Sequence, residues 1–167
     1  MPNPDSLKEL YADEMKDLWS ANDQMARAVR TMAGRAHDSE LRKTLEASVA
    51  GIAKHADTLK ALLGEAGAEV AKEPCQGMEG LVREALKHTG EEAPADGYLL
   101  SVEIIAQYQR MSHYGIAGFG TAASYAGTLK LKDAQKQLRQ ATKEIYGGDE
   151  YMNKLAETTV NIDAEDE

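Results

Sequence analysis

Polar side chains at five positions fall on stripes that are otherwise apolar: Glu14, Ser48, His55, Gln109 and His113. Buried polar groups need partners, so each must meet another polar group or a ligand. The two imidazoles carry the sharper chemistry. Neutral imidazole ligates zinc, copper or iron, and Glu14 or Glu144 beside His55 and His113 would make a small metal site. Glu103 is a further carboxylate on the same helix as His113. The plainer chemistry is a set of hydrogen bonds among these groups and nearby hydroxyls, with Glu14 as an acceptor near one end of the bundle. No convergent set of four or more ligands can be assembled from the sequence, so no catalytic or cofactor-binding residue is named. No cofactor is expected, and iron or zinc is the alternative. Cys75 has no base near it in sequence that would favour the thiolate, and reads as a packing residue. His37 and His88 lie in or near connections and should face solvent. Met15, Met25, Met32, Met111 and Met152 read as core fillers.

These residues are carried by long helical patterns. The stretch that organises the chain runs over about 97–128. Its apolar residues recur at Leu99, Val102, Ala106, Ile116 and Ala123, and His113 falls on the same stripe. A second face carries Ile105, Tyr108, Phe119 and Ala122, so the helix is apolar over most of its circumference and should be buried among others. Gly115, Gly118 and Gly120 interrupt it, each costing about 1 kcal/mol of helix propensity against Ala.

The spacing predicts a first helix over about 6–35, opened by the capping box Ser6-Leu7-Lys8-Glu9. A second runs over about 39–64, capped by Asp38 or Ser39 and stopped by Gly64 and Gly67. A short helix over about 77–89 lies in the long connection. A last helix spans about 132–159, with Gly147-Gly148 at mid-length and an acidic, solvated tail at 162–167. Four long helices, each about 40 Å at 1.5 Å per residue, with one long crossover make a single all-α domain over 1–167: an antiparallel four-helix bundle, ferritin-like in topology.

Composition excludes several partners. The 167 residues carry 19 Lys plus Arg against 28 Asp plus Glu, a net charge of −9. That charge disfavours nucleic acid and anionic membrane surfaces. No apolar run approaches the roughly 20 residues of a membrane span, and no signal-peptide pattern opens the chain. A single cysteine gives neither a disulfide framework nor a thiolate cluster. A reducing cytoplasm is the expected location.

Three segments carry a resemblance. Asp13-Glu14-Met15-Lys16-Asp17-Leu18-Trp19 looks like Asp-Glu-Leu-Lys-Asp-Leu-Tyr, and Cys75-Gln76-Gly77-Met78-Glu79-Gly80-Leu81 is similar to Cys-x-x-Met-Glu-Gly-Leu. His113-Tyr114-Gly115-Ile116-Ala117-Gly118-Phe119-Gly120-Thr121 is similar to His-Tyr-Glu-Ile-Ala-x-Tyr-Gly-Thr. These are motifs of the YciE/YciF family of bacterial ferritin-like proteins, which the chain resembles over about residues 6–161. The resemblance implies a four-helix bundle, commonly a homodimer, often linked to stress responses. No other partner is implied.

The same resemblance locates where di-iron ligands would stand. A ferritin-type centre takes a Glu from each of two helices and a Glu-x-x-His pair or its equivalent from each of the other two. Where the family has Ala-Glu-x-Gln, this chain has Ala21-Asn22-Asp23-Gln24, and Gly51 stands four residues before His55. Ser112 and Gly115 replace a pair of Glu residues, and Glu144-Ile145 replaces Glu-Glu. Asn22, Gly51, Ser112, Gly115 and Ile145 thus occupy carboxylate positions, and the resemblance implies a degenerate metal site. Trp19, Tyr114, Tyr125 and Tyr146 are either core aromatics or the lining of the space so left. A non-enzymatic scaffold or interaction protein is the favoured class. A metal-binding or oxidase-type protein with replacement ligands around His55 and His113 is the alternative. A pocket for an apolar ligand, opened where Gly replaces Glu, is a third.

Overall fold

A side chain closes the first turn of most of the helices, each such cap contributing about 1 kcal/mol. The structure, a computed structural model, describes residues 3–70 and 72–166. Helix α1 is Leu7–Arg35, where Ser6 Oγ accepts from the Glu9 N–H at 3.2 Å. The Glu9 carboxylate reaches one residue further back than a capping box requires, accepting from the Asp5 N–H at 2.9 Å. Helix α2, Ser39–Glu65, starts on Asp38, which accepts from the Leu41 N–H at 2.7 Å. It ends where Gly67 turns left-handed at φ +74°, letting the Ala68 N–H return to the Leu63 carbonyl. Helix α3, Gln76–Leu86, is capped by the Cys75 sulfur. Helix α4, Gly97–Thr128, is capped by Asp96. Helix α5 is Lys132–Leu155.

Two segments differ from the sequence expectation. A π-helical turn, Lys87–Glu91, prolongs α3 through Gly90, with Thr89 buried and donating to the Ala85 carbonyl. A second π-helical turn, Ala156–Val160, prolongs α5 and leads into α6, Asn161–Glu165. The acidic end expected over 162–167 is therefore helical as far as Glu165; buried Ala156 and Val160 hold it against the bundle. Glu167 lies outside the described residues. Among the described residues, no helix is long and apolar enough to cross a membrane.

The long helices run antiparallel to their neighbours. The turn at 36–38 folds α2 back on α1, and 129–131 folds α5 back on α4. Ser101 near the start of α4 meets Asp38 in the turn after α1, while Gly118, further along α4, meets Leu18 in the first half of α1. Glu40 of α2 meets Tyr151 of α5, and His55 meets Glu144. The 66–96 crossover carries α3 across α1 and α4. The result is the ferritin-like four-helix bundle with one long connection.

The apolar interior is not continuous. One buried cluster includes Met25, Ile52, Met111 and Met152, and the other includes Leu18, Leu59, Phe119 and Ala141. The break falls on every long helix at one level: beside Asn22 on α1, Gly51 and His55 on α2, Gly115 on α4, and Ile145 and Gly148 on α5.

The phase of α4 corrects one expectation. Its deep face is Ile104, Tyr108, Met111, Gly115, Phe119 and Ala122, all buried, whereas Leu99 is 47% exposed. His113 lies about 200° round the helix from Met111 and Gly115 at 3.6 residues per turn. Its side chain is 57% exposed and does not belong to the core stripe.

Candidate ligand site at the bundle centre

The break between the two cores is a cavity of about 430 Å³. Asn22, Gly51, Ser112, Gly115 and Ile145 all line it, so the structure brings together all five positions singled out in the sequence. His55 and Glu144 line it too. Its floor comes from α1 and α4, where Asn22, Met25, Tyr108 and Ser112 are buried. Its mouth opens between α2 and α5, where Lys54, Glu144 and Tyr151 are exposed. Two side-chain bridges span that mouth. Tyr151 donates its hydroxyl to Glu40 at 2.9 Å, and His55 Nε2 meets Glu144 Oε2 at 2.6 Å.

The glycines keep the space open. A Cβ built on Gly51 would meet no atom within 4 Å, and one on Gly115 would meet only Ile145 Cδ1 at 3.4 Å. One on Gly148 would meet only the Tyr108 hydroxyl at 3.6 Å. None of these glycines is demanded by close helix packing. Gly118, one turn from Gly115, is a different case: its Cβ would collide with Leu18 of α1.

Polar groups sit at fixed points on this apolar wall. Ser48 Oγ and the Tyr108 hydroxyl are 2.7 Å apart, and Asn22 Nδ2 donates to the Ile52 carbonyl at 3.3 Å. His55 is buried, with its ring edge-on to Phe119 at 5.5 Å. The hydrogen bond from His55 holds the Glu144 carboxyl below the ordinary carboxylate range; partial burial opposes that shift, and Gln140, the His55 charge and Lys54 assist it.

The other polar residues of interest lie elsewhere. His113 Nε2 contacts Asp149 Oδ2 at 3.0 Å, and Gln109 Nε2 donates to Asp149 Oδ1 at 3.1 Å. Asp149 is buried on α5, so His113 and Gln109 cover a carboxylate of the bundle wall. His55 and His113 do not form one site. Glu14 was expected to accept hydrogen bonds, but no donor among the described residues reaches it; its carboxylate lies over Gly118. Burial pushes its pKa up, and the neighbouring Asp17 adds to the shift. Glu103 accepts from Gln107 one turn along α4. His37 is exposed and stacks edge-on with Tyr98, and His88 is half-buried beside Glu84. Trp19, Tyr114 and Tyr125 are half-buried and Tyr146 is 54% exposed, and none of them lines the cavity. Of the aromatics that do line it, Tyr108 was read only as part of an apolar face, and Tyr151 was not named from the sequence. The five methionines named from the sequence are buried.

Cys75 has neighbours that its sequence context does not reveal. Its N–H donates to Ser20 Oγ at 2.8 Å, and its sulfur lies 3.0 Å from the Tyr114 hydroxyl, which donates to Asp17 at 2.6 Å. Burial, with Asp17 adding to it, pushes the thiol pKa up, so the sulfur stays protonated at neutral pH. This is a structural knot between α1, α3 and α4, not an activated nucleophile.

A di-iron centre needs carboxylates that bridge and neutralise two cations. The cavity offers one imidazole and one carboxylate, already bonded to each other. Among the described residues, no group of three or more His, Cys, Asp or Glu is placed to hold a metal ion. The residues present do not fit a di-iron centre.

The antiparallel helices, the crossover bearing α3 and the polar layer at mid-height define a ferritin-like four-helix bundle. A family model described as a domain of unknown function, DUF892, matches residues 6–165, and the chain belongs to this family, that of the YciE and YciF proteins. Protein YciF of Escherichia coli (strain K12) is 26% identical over 164 residues, 98% of each chain. The solved structure of the E. coli stress protein YciF matches with a TM-score of 0.87 at 24% identity, covering 95% of this chain and 99% of that one. YcfI of Rhodopseudomonas palustris, described provisionally as a structural protein, matches with a TM-score of 0.84 at 24% identity, covering 92% and 98%.

Proposed function

We propose that this protein is a stress-associated, non-enzymatic ferritin-like bundle that acts through self-association or a partner, as a homodimer, and whose di-iron site is degenerate. The observation that carries this reading is the cavity itself. The positions where the family resemblance places carboxylates are Asn22, Gly51, Ser112, Gly115 and Ile145, and together they line a space with no bridging ligand. The stress association rests on the description of the E. coli relative. Anaerobic ferrous titration of the purified chain with elemental analysis tests the metal part. Less than one iron per chain and no ferroxidase turnover is expected; two irons per chain with turnover would overturn the reading. Sedimentation tests the dimer: a clean 18.1 kDa species at micromolar concentration would refute it.

The 2.6 Å contact between His55 and Glu144 favours one second reading, a single zinc or iron held by replacement ligands. His113 takes no part in it, since it faces Asp149. Stoichiometric metal lost specifically in a His55→Ala variant would establish that reading in place of the first.

A further inference from the structure

The central cavity has the composition of an organic-ligand site. Small-molecule sites occupy about 300–1,000 Å³, with mostly apolar walls and a few convergent polar groups, and this one, at about 430 Å³, falls in that range. Met25, Ile52, Ile145 and the bare backbone at Gly51 and Gly115 make the walls. The space is maintained against local preference, because each mid-helix glycine costs about 1 kcal/mol relative to Ala and no neighbour excludes a methyl group at Gly51.

Unused hydrogen-bonding capacity points into it. Ser48 and Tyr108 share one hydroxyl hydrogen across 2.7 Å, and their second hydrogen has no acceptor among the described residues. Asn22 is 6% exposed, and its amide donates to Ile52 while its Oδ1 takes no hydrogen bond from the described residues. Among the described residues, no fully buried side-chain oxygen or nitrogen is left unpartnered. The open surface of Asn22 Oδ1 is therefore the cavity that Asn22 lines. A hydroxyl donor and an amide acceptor thus face one apolar space. At the mouth His55 and Glu144 satisfy each other and Lys54 is exposed to solvent, so no unpaired charge faces the buried end of the cavity, where Asn22, Ser48 and Tyr108 lie.

We propose that this cavity binds a small uncharged organic molecule with an apolar body and a polar head that both donates and accepts a hydrogen bond. The guest enters between α2 and α5, past the Tyr151–Glu40 and His55–Glu144 bridges, and places its head against Asn22 and the Ser48–Tyr108 pair. The proposal rests on the preceding reading only in that two irons would fill the same space.

The test uses the full chain, stripped with a chelator, and two probes, p-cresol and benzyl alcohol, whose hydroxyls both donate and accept, titrated by calorimetry and by amide NMR. Saturable millimolar or tighter binding of at least one probe is expected, with the largest shifts at Gly51, Ser112 and Gly115. The Gly51→Leu/Gly115→Leu variant should weaken binding at least about tenfold. Tyr108→Phe should weaken it severalfold, in keeping with the roughly 1 kcal/mol of one hydrogen bond, which is about fivefold. Shifts confined to surface amides, or no saturable binding of either probe, would overturn the proposal. So would unchanged affinity in the double leucine variant. The shift map is read on the parent chain, so it decides the matter even if the leucine variant does not fold. Iron uptake is measured in a separate sample, which keeps failure of the metal-loss reading apart from failure of this one.

Discussion

Two glycines one turn apart on α4 should respond oppositely to the same added methyl group, with Gly51 of α2 as a second reference. Gly→Ala in a helix interior gains about 1 kcal/mol of propensity. At Gly51 the new Cβ meets nothing within 4 Å, and at Gly115 it makes one ordinary contact of 3.4 Å with Ile145. Gly51→Ala and Gly115→Ala should therefore each stabilise by about 1 kcal/mol, a rise of roughly 2–4 °C in Tm for a domain of this size. At Gly118 the Cβ collides with Leu18 Cδ2 and comes within 3.0 Å of Leu18 Cγ and 3.2 Å of Glu14 Oε1. Leu18 is fully buried and has nowhere to go. Overpacking of this kind costs about 1–3 kcal/mol, which the propensity gain offsets only in part, so Gly118→Ala should lose up to about 2 kcal/mol net. Urea denaturation followed by circular dichroism measures all three on one scale. The reasoning is refuted if Gly118→Ala is as stable as Gly51→Ala, or if Gly51→Ala is destabilised. The first result would mean that α1 and α4 are not in close contact there, and the second that the central cavity is not open.

Three further outcomes follow from the ionisable groups. Glu14 has its pKa pushed up, first by burial and then by Asp17, so the folded chain holds that proton more tightly than the unfolded one and loses stability as pH rises above about 4.5. Glu14→Gln should therefore gain on the parent at neutral pH, and the difference in Tm should vanish in acid. Glu144 is shifted the other way by its bond from His55; its contribution is present above about pH 4.5 and is lost as pH falls through its lower folded value, so the Tm gap between parent and Glu144→Gln should close in acid. Cys75 is buried, and its thiol is held protonated by burial with Asp17 adding to it, so labelling with a thiol reagent at neutral pH should proceed only as fast as the α3 region opens. Rapid stoichiometric labelling of the native chain would contradict that account.

The bundle was legible because its signals are local and periodic. Ser6, Asp38 and Asp96 sit where capping residues belong, and α2 shows its buried face directly as Leu41, Leu45, Ile52, His55, Leu59 and Leu62. The phase of α4 was harder to read, because a helix apolar on most sides offers two competing stripes; the choice of the Leu99 stripe put His113 inside. Asp149 could have been found, since it continues the spacing of Leu138, Ala141, Ile145 and Met152 on α5. The contacts of Cys75 could not. Asp17, Ser20 and Tyr114 come from two other helices, and no spacing within the chain links them. The π-helical turn after α3 was missed for a related reason: Gly90 ends a helix by local preference, but buried Thr89 and its bond to Ala85 carry the helix about two residues further, to Glu91.

The residues at mid-bundle also decide what the fold depends on. A layer built with a Glu on each helix sets several carboxylates against one another in a water-poor interior, and like charges at such distances raise one another's proton affinity until cations neutralise them. Metal binding and folding are then coupled, because the ions stabilise only the folded arrangement of ligands. Here the layer carries a single carboxylate, Glu144, which lies at the mouth and already has its imidazole partner. The remaining positions are an amide, a hydroxyl, two glycines and an aliphatic side chain, none of which repels its neighbours. A layer of this kind offers a metal no set of ligands and leaves no repulsion for one to relieve. What the glycines leave instead is volume. The apolar contacts on either side, Met25 and Ile52 above it and Leu18 and Phe119 below, keep the four helices in register around that space.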